Sequence, residues 1–236
     1  MIDLHSHILP GIDDGAKTPE EGKALLEQMH AQGVKTAVAT PHFFPGSAVL
    51  EDFLSLRDTA LKELRGVIEP DFPVKIIPGA EVLYFSGIGG VEAIKALTLG
   101  GSRYLLLELL GLKKIDEKVI NDIYALKQNF NIVPIIAHVE RYCKYKGFKE
   151  LLSVIESGGA LCQINATYKS SKAEARAVKE MVNRGLVDFL ASDCHHPKRR
   201  PVKLREAFAG LEAISSEQTK RIIEKSEKLE SELLSL

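Results

Sequence analysis

Residues 1–15 read MIDLHSHILPGIDDG. A short apolar run, 2–5, ends in His5, Ser6 and His7, and a turn rich in glycine and aspartate follows. The same grammar recurs down the chain. β-type runs near 35–40 (KTAVAT), 74–78 (VKIIP), 103–108 (RYLLLE), 132–138 (IVPIIAH), 160–165 (ALCQIN) and 187–192 (VDFLAS) alternate with amphipathic stretches near 19–32, 51–66, 116–129, 147–157, 172–184, 202–213 and 216–234. Repeated βα units build a parallel core. No linker, low-complexity tract or repeat interrupts them, so we expect one α/β domain over 1–236: a (β/α) barrel of about seven strands, with an open doubly wound sheet as its rival. Thr18, Pro19 and Glu21 predict a capped start for the first helix. The mixed-charge tail EKSEKLESELLSL is expected to be a solvated surface helix.

The formal charge of −1 carries no electrostatic footprint for nucleic acid. No run approaches the ~20 apolar residues that span a bilayer, and the opening lacks the greasy core of a secretion signal. Three cysteines, at 143, 162 and 194, have no C-x-x-C spacing, which argues against a disulfide framework or zinc knuckle and for a reducing cytoplasm. Cys143 and Cys162 are expected to be buried small hydrophobes.

The polar residues at the strand ends carry the chemistry. His5 and His7 follow the first strand, His42 the second, Glu81 the third, Glu108 the fourth, His138 the fifth, and Asp193 and His195 the seventh. In a parallel barrel those ends share the face where active sites form. Asp14 or Asp13 can fold back from the glycine-flanked turn to join them. Imidazoles and carboxylates without thiolate suit Mn, Fe, Zn, Co or Mg, and so many donors exceed one ion's needs, so two or three divalent ions are expected. Such clusters turn water into a hydroxide nucleophile and clamp phosphoryl or acyl oxygens. Arg141 and Arg200 would stand on the same rim and suit a phosphate. Lys198 and Arg199 add positive charge there, whereas His30 and His196 read as bystanders. Cys194 to Arg200 has the C-x5-R spacing of cysteine-dependent phosphatases, but the segment lacks glycine and contains Pro197, so a phosphate-cradling loop is not expected. The apolar Phe43-Phe44 loop is either an interface or a substrate wall.

Taken together, HSHILPGIDDG at 5–15, ATPHF at 39–43, PGAEV at 78–82, LLLEL at 105–109, AHVERY at 137–142, QIN at 163–165 and ASDCH at 191–195 resemble the polymerase-and-histidinol-phosphatase (PHP) superfamily. Within it, the chain looks most like the manganese-dependent protein-tyrosine phosphatases of bacterial capsular and exopolysaccharide gene clusters. The resemblance implies a distorted (β/α)7 TIM-like barrel with three metal ions. It implies metal ligation by His5, His7, Asp14, His42, Glu81, Glu108, His138, Asp193 and His195, favouring Asp14 over Asp13, and phosphate binding by Arg141 and Arg200, with Arg199 adjacent to the latter. It implies as substrate the phosphotyrosine C-terminal tail of an autophosphorylating kinase that controls polysaccharide export. Two departures stand out: the loop FFPGSAVLEDF after His42 is more apolar than in relatives, and the segment after Asn165 is short. A histidinol-phosphatase-type small-molecule phosphatase, a metal-dependent amidohydrolase and a non-catalytic binding module are the competing readings.

Overall fold

The structure is a computed structural model that describes residues 1–46 and 49–236. Part of the apolar loop after His42 therefore lies outside the described residues. Among the described residues nine strands form: β1 (Ile2–Ser6), β2 (Thr36–Ala39), β3 (His42–Phe43), β4 (Lys75–Pro78), β5 (Glu81–Leu83), β6 (Tyr104–Glu108), β7 (Val133–Ile136), β8 (Leu161–Asn165) and β9 (Phe189–Ala191). They make two parallel sheets, ordered β1-β2-β4 and β3-β5-β6-β7-β8-β9. The seven expected strands are present, the second and third as β2 and β4, and two further short strands, β3 and β5, continue these after a break. Thr40 and Pro41 separate β2 from β3, and Gly79 and Ala80 separate β4 from β5. Pro41 contributes no N–H to a ladder, and a Cβ on Gly79 would lie 2.9 Å from the Leu99 side chain, so the chain passes close to Leu99 there only as glycine. Backbone bonds from Gly79 N to Ala39 O (2.8 Å) and from Glu81 N to Pro41 O (3.0 Å) carry the pairing across. On the other side, Ser6 bridges Cys194, with His7 N donating to Cys194 O and Asp193 N to His5 O. The curled sheet is thus a distorted TIM-like barrel.

Seven α-helices among the described residues follow the expected segments: α1 (Pro19–Ala31), α2 (Leu50–Gly66), α3 (Glu117–Phe130), α4 (Phe148–Glu156), α5 (Lys172–Asn183), α6 (Leu204–Glu212) and α7 (Ser216–Leu234). Thr18 caps α1 by accepting from Glu21 N, while the Glu21 carboxylate reaches one residue further than expected and accepts from Lys17 N. Between β5 and β6 the chain uses three 3-10 turns instead of an α-helix.

Alternation along the strands sorts the core into two layers. Leu105, Leu107, Ile136, Cys162 and Ile164 pack outward with the helices, whereas Leu4, Val38, Ile77, Leu106, Ile135 and Phe189 fill the interior. Leu229 and Leu233 of α7 join that interior layer. This corrects the expectation for the tail, whose charged residues hide a buried stripe that floors the barrel. A second correction concerns Cys143, which is half-buried; Cys162 and Cys194 are fully buried.

Candidate metal centre

Above the apolar interior the inward positions turn polar. Glu108 follows Leu106 on the inner face of β6, and Gln163 and Asn165 pair in register with Phe189 and Ala191. The β1–β2 register slips between Asp3 and Ser6, a bulge that re-aims His5 toward the end of the barrel where His7 lies. His138 (φ 35°) and Asp193 (φ 51°) adopt left-handed backbone, which non-glycine residues sustain only where surrounding structure holds them.

All nine residues expected at the strand ends and in the turn converge. His5 Nε2 lies 3.2 Å from His7 Nε2, 3.1 Å from Glu81 Oε2 and 3.4 Å from Asp193 Oδ1. His7 Nε2 is 3.3 Å from Glu81 Oε2 and 3.5 Å from Asp193 Oδ1. Asp14 Oδ1 stands 3.5 Å from His42 Nε2 and 3.3 Å from His195 Nε2. Glu81 Oε1 and Glu108 Oε1 approach His138 Nε2 at 2.9 and 3.3 Å. Three groupings could each hold a cation: His7, Asp14, His42 and His195; His5, His7 and Glu81; His42, Glu81 and Glu108.

The donor set fits metal ions. Ligands on arms of ~2.0–2.2 Å around one ion stand about 3.0–3.6 Å from each other, the spacing seen here. Glu81 Oε2 and His42 Nδ1 are buried without a hydrogen-bond partner although they lie 3.0 Å apart, an arrangement that costs energy unless a cation satisfies both. The carboxylates also draw positive charge inward. Burial opposes protonation of His138, but Glu108 and Glu81 outweigh it and push its pKa up to about 9. Burial likewise opposes protonation of His7, and Asp13, then Glu81, raise it well above the ordinary histidine value. Burial and the neighbouring charge of His7 push His195 the other way, down to about 3.

A surrounding layer of residues, which strand-end reading did not single out, orients these donors. Asp13, the rival to Asp14, turns away from the cluster: its carboxylate accepts from His7 Nδ1–H at 2.7 Å, from His42 N at 3.0 Å and from Gly15 N at 2.9 Å. A Cβ at position 15 would sit 2.3 Å from the His7 carbonyl, so only glycine lets the turn close. Gln163 Oε1 accepts from His5 Nδ1–H (3.1 Å) and His138 N (2.9 Å), its Nε2 donates to Asn165 Oδ1 (2.9 Å), and Asn165 donates to Asp193. Tyr142 OH meets His138 Nδ1 at 3.1 Å and accepts from Leu109 N. His195 Nδ1–H donates to the Asp193 carbonyl. With Nδ1–H so engaged, His5, His7 and His195 turn their Nε2 atoms into the pocket, where a bound cation would take the place of any proton on them.

Arg141 and Arg200 both reach Asp193 Oδ2 from the rim, with side chains 29% and 31% exposed. Arg200 NH1 also donates to His195 Nε2 at 3.1 Å. The choice between Arg199 and Arg200 follows from a small turn in which His196 and Arg200 exchange backbone hydrogen bonds. His196 Nδ1 accepts from Lys198 N and Arg199 N, which leaves Arg199 exposed and points Arg200 inward. His196 is thus a brace for this turn, while His30 is exposed on α1. Cys194 is buried, and burial pushes its thiol well above the ordinary value, the opposite of a nucleophilic cysteine. The Phe43-Phe44 pair divides: Phe43 packs edge-on against Phe53, and Phe44 is exposed and stacks on His42 at 5.1 Å.

Residues 1–229 match the family described as capsular polysaccharide synthesis, CpsB/CapC. The tyrosine-protein phosphatase CpsB of Streptococcus pneumoniae is 32% identical over 229 residues, covering 88% of each chain. The tyrosine-protein phosphatase YwqE of Bacillus subtilis is 31% identical over 90% of this chain and 84% of its own. A solved structure from a study of YwqE and CpsB, described as unique metal-dependent tyrosine phosphatases, superposes with a TM-score of 0.78 at 28% identity, over 95% of this chain and 92% of that one. A histidinol phosphate phosphatase from Lactococcus lactis, solved with zinc, L-histidinol and phosphate, shares the fold at 16% identity and a TM-score of 0.57, over 91% and 93% of the two chains. The chain belongs to the CpsB/CapC family of capsular polysaccharide synthesis.

Proposed function

We propose that this chain, acting as a single domain over 1–236, is a metal-dependent phosphatase that hydrolyses phosphotyrosine on protein. His5, His7, Asp14, His42, Glu81, Glu108, His138, Asp193 and His195 would hold two or three divalent ions, manganese first among Mn, Fe, Zn, Co and Mg. The observation that carries the reading is the convergence of these donors at 2.9–3.5 Å in one pocket rimmed by two arginines. Bound there, divalent ions supply the Lewis acidity that lowers the pKa of water and balances charge on phosphoryl oxygens.

The chain's own residues supply the rest. Gln163, Asp13 and Tyr142 fix the rings of His5, His7 and His138, so no reorganisation is needed at the moment of reaction. Arg141 and Arg200 present half-open guanidinium forks that match the oxygens of a phosphate. Their present partner is Asp193, so an arriving phosphate exchanges one anion for another. A phenolate leaves readily, since its conjugate acid has a pKa of about 10. The relatives' names support phosphotyrosine protein as substrate. Membership of the capsule family supports the C-terminal tail of a polysaccharide-controlling tyrosine kinase as partner and the cytoplasm as location. No helix among the described residues is long and apolar enough to cross a membrane.

The test is phosphate release from a phosphotyrosine peptide and from histidinol phosphate, with metal analysis of the purified protein. The expected result is metal-dependent turnover with kcat/KM at least about tenfold higher for the peptide. The reverse preference would move the chain to small-molecule phosphatases, and cleavage of an amide without phosphate hydrolysis would move it to amidohydrolases.

A further inference from the structure

Beside the metal centre runs an apolar groove that the chemistry above does not use. Ile12, His42, Phe44, Val49, Phe53 and Leu56 line a cavity of about 420 Å³, with Asp52 on its edge. Phe44, Val49 and Leu56 are 42%, 60% and 49% exposed. Single exposed apolar side chains are ordinary, but a cluster of them in a concave site marks a binding surface.

The groove is continuous with the reaction site through His42. The nitrogens on the edge of that ring meet Asp14 and Glu81 in the cluster, and its face is stacked by Phe44 in the groove. Asp14, whose carboxylate lies 3.5 Å from His42 Nε2, is 69% exposed, whereas His5, Glu81, His138 and Asp193 are buried. A polypeptide whose phosphate sat in the cluster and which left past His42 would carry its neighbouring side chains over Phe44 and Leu56.

We propose that this groove is a specificity subsite that takes an apolar side chain within one or two residues of the substrate's phosphotyrosine, and that Asp52 disfavours an acidic side chain there. The proposal rests on the phosphotyrosine reading and adds to it what the protein selects. It also assigns the apolar loop after His42: Phe43 belongs to the core, and Phe44 is substrate wall.

The test compares three phosphotyrosine peptides that carry Leu, Ser or Glu next to the phosphotyrosine, together with free phosphotyrosine, each in the presence of divalent metal. The wild-type protein is expected to favour the Leu peptide over the Ser peptide by about tenfold in kcat/KM, and over the Glu peptide by more, the discrimination a small apolar pocket achieves. In the Val49→Ser/Leu56→Ser double variant the Leu:Ser ratio should fall to about twofold or less. Because the readout is a ratio, a general loss of activity does not imitate it, and both side chains are exposed enough for serine to leave the core intact. Peptides with a non-hydrolysable phosphonate give the same comparison as Kd by fluorescence anisotropy, without turnover. A wild-type ratio near one, or a ratio that survives the double variant, overturns the subsite. So does concentration-dependent self-association that the double variant abolishes without altering the ratio, because the groove would then seat a second copy of the chain. Hydrolysis of free phosphotyrosine with no peptide discrimination removes the subsite alone. Failure to hydrolyse any phosphotyrosine substrate removes the functional reading and the subsite with it.

Discussion

Replacing Gln163 with leucine tests whether the surrounding hydrogen-bond layer sets the metal centre. Gln163 is fully buried and serves three partners: it accepts from His5 Nδ1–H and His138 N and donates to Asn165 Oδ1. Leucine fills a similar volume with no polar atom, so two buried donors and one acceptor lose their partner. Each such orphan costs about 1–3 kcal/mol, and part of that is returned by the added apolar burial, so a net loss near ~3 kcal/mol is expected. For a chain of this length that lowers Tm by roughly 6–12 °C. With no acceptor left at its Nδ1, His5 loses the lock on its tautomer, and metal affinity should fall about 10–100-fold. Gln163→Glu keeps the acceptor for His5 and His138 but sets two oxygens against each other at Asn165, so it should lower stability while keeping metal affinity within a few-fold. Stability would be read by urea denaturation, followed by far-UV circular dichroism because the chain has no tryptophan. Affinity would be read by calorimetric titration with Mn²⁺. If Gln163→Leu leaves stability within about 0.5 kcal/mol of wild type and affinity within twofold, the positioning argument is wrong, because both changes are below what one orphaned buried donor costs.

Three further outcomes follow from the same geometry. A chelator should abolish phosphate release and lower Tm by about 5–10 °C, the equivalent of ~2.7 kcal/mol of linkage for an ion supplied at a hundred times its Kd, and Mn²⁺ should restore both; chelator-resistant turnover would contradict the metal reading. Cys194→Ser should cost about 1–2 kcal/mol for a poorly paired buried hydroxyl and leave kcat within about twofold, whereas abolished turnover in a stably folded variant would point to the thiol as nucleophile. Arg200→Ala should lower kcat/KM on phosphotyrosine peptide about 10–100-fold through lost charge-assisted hydrogen bonds, against less than about threefold for Arg199→Ala; equal losses would undo the assignment made from the His196–Arg200 turn.

The strands, the helices and the residues gathered on one face were legible because each leaves a local mark. β-branched runs, caps and polar residues at strand ends can all be read from a few neighbouring positions. The splits at Thr40-Pro41 and Gly79-Ala80 could be suspected from Pro41 and Gly79, but their meaning depends on how the neighbouring strand bends. The tail was misread because its charges dominate a short window, while Ile222, Leu229 and Leu233 mark the buried stripe only over several turns. Asp13 and Asp14 are chemically identical neighbours, and only the turn closed by Gly15 separates the one that braces His7 from the one that faces the pocket. Gln163 left a usable signal, an uncharged polar residue between Cys162 and Ile164 inside a strand. Two of its three partners, however, come from β1 and from beyond the end of β7, and one strand's pattern cannot announce them. Phe43 and Phe44 differ only in which side of the chain each takes.

The floor of the barrel also has a consequence for how the chain is made. Ile2 and Leu4 of β1 pack with Leu229 and Leu233 of α7, and α7 is latched to the sheet by the Met1 amino group and Thr36 on Glu230 and by Tyr104 on Glu232. Contacts that distant in sequence must close a very long loop before they stabilise anything, which slows folding. His5 and His7 at one end likewise wait for Asp193 and His195 near the other. A nascent chain emerging from the ribosome can build its βα units in turn, but it cannot assemble its metal pocket until His195 is out or seal its interior until Leu233 is out. The late-made helix that looks least important on the surface is therefore the step that commits the protein to its native form.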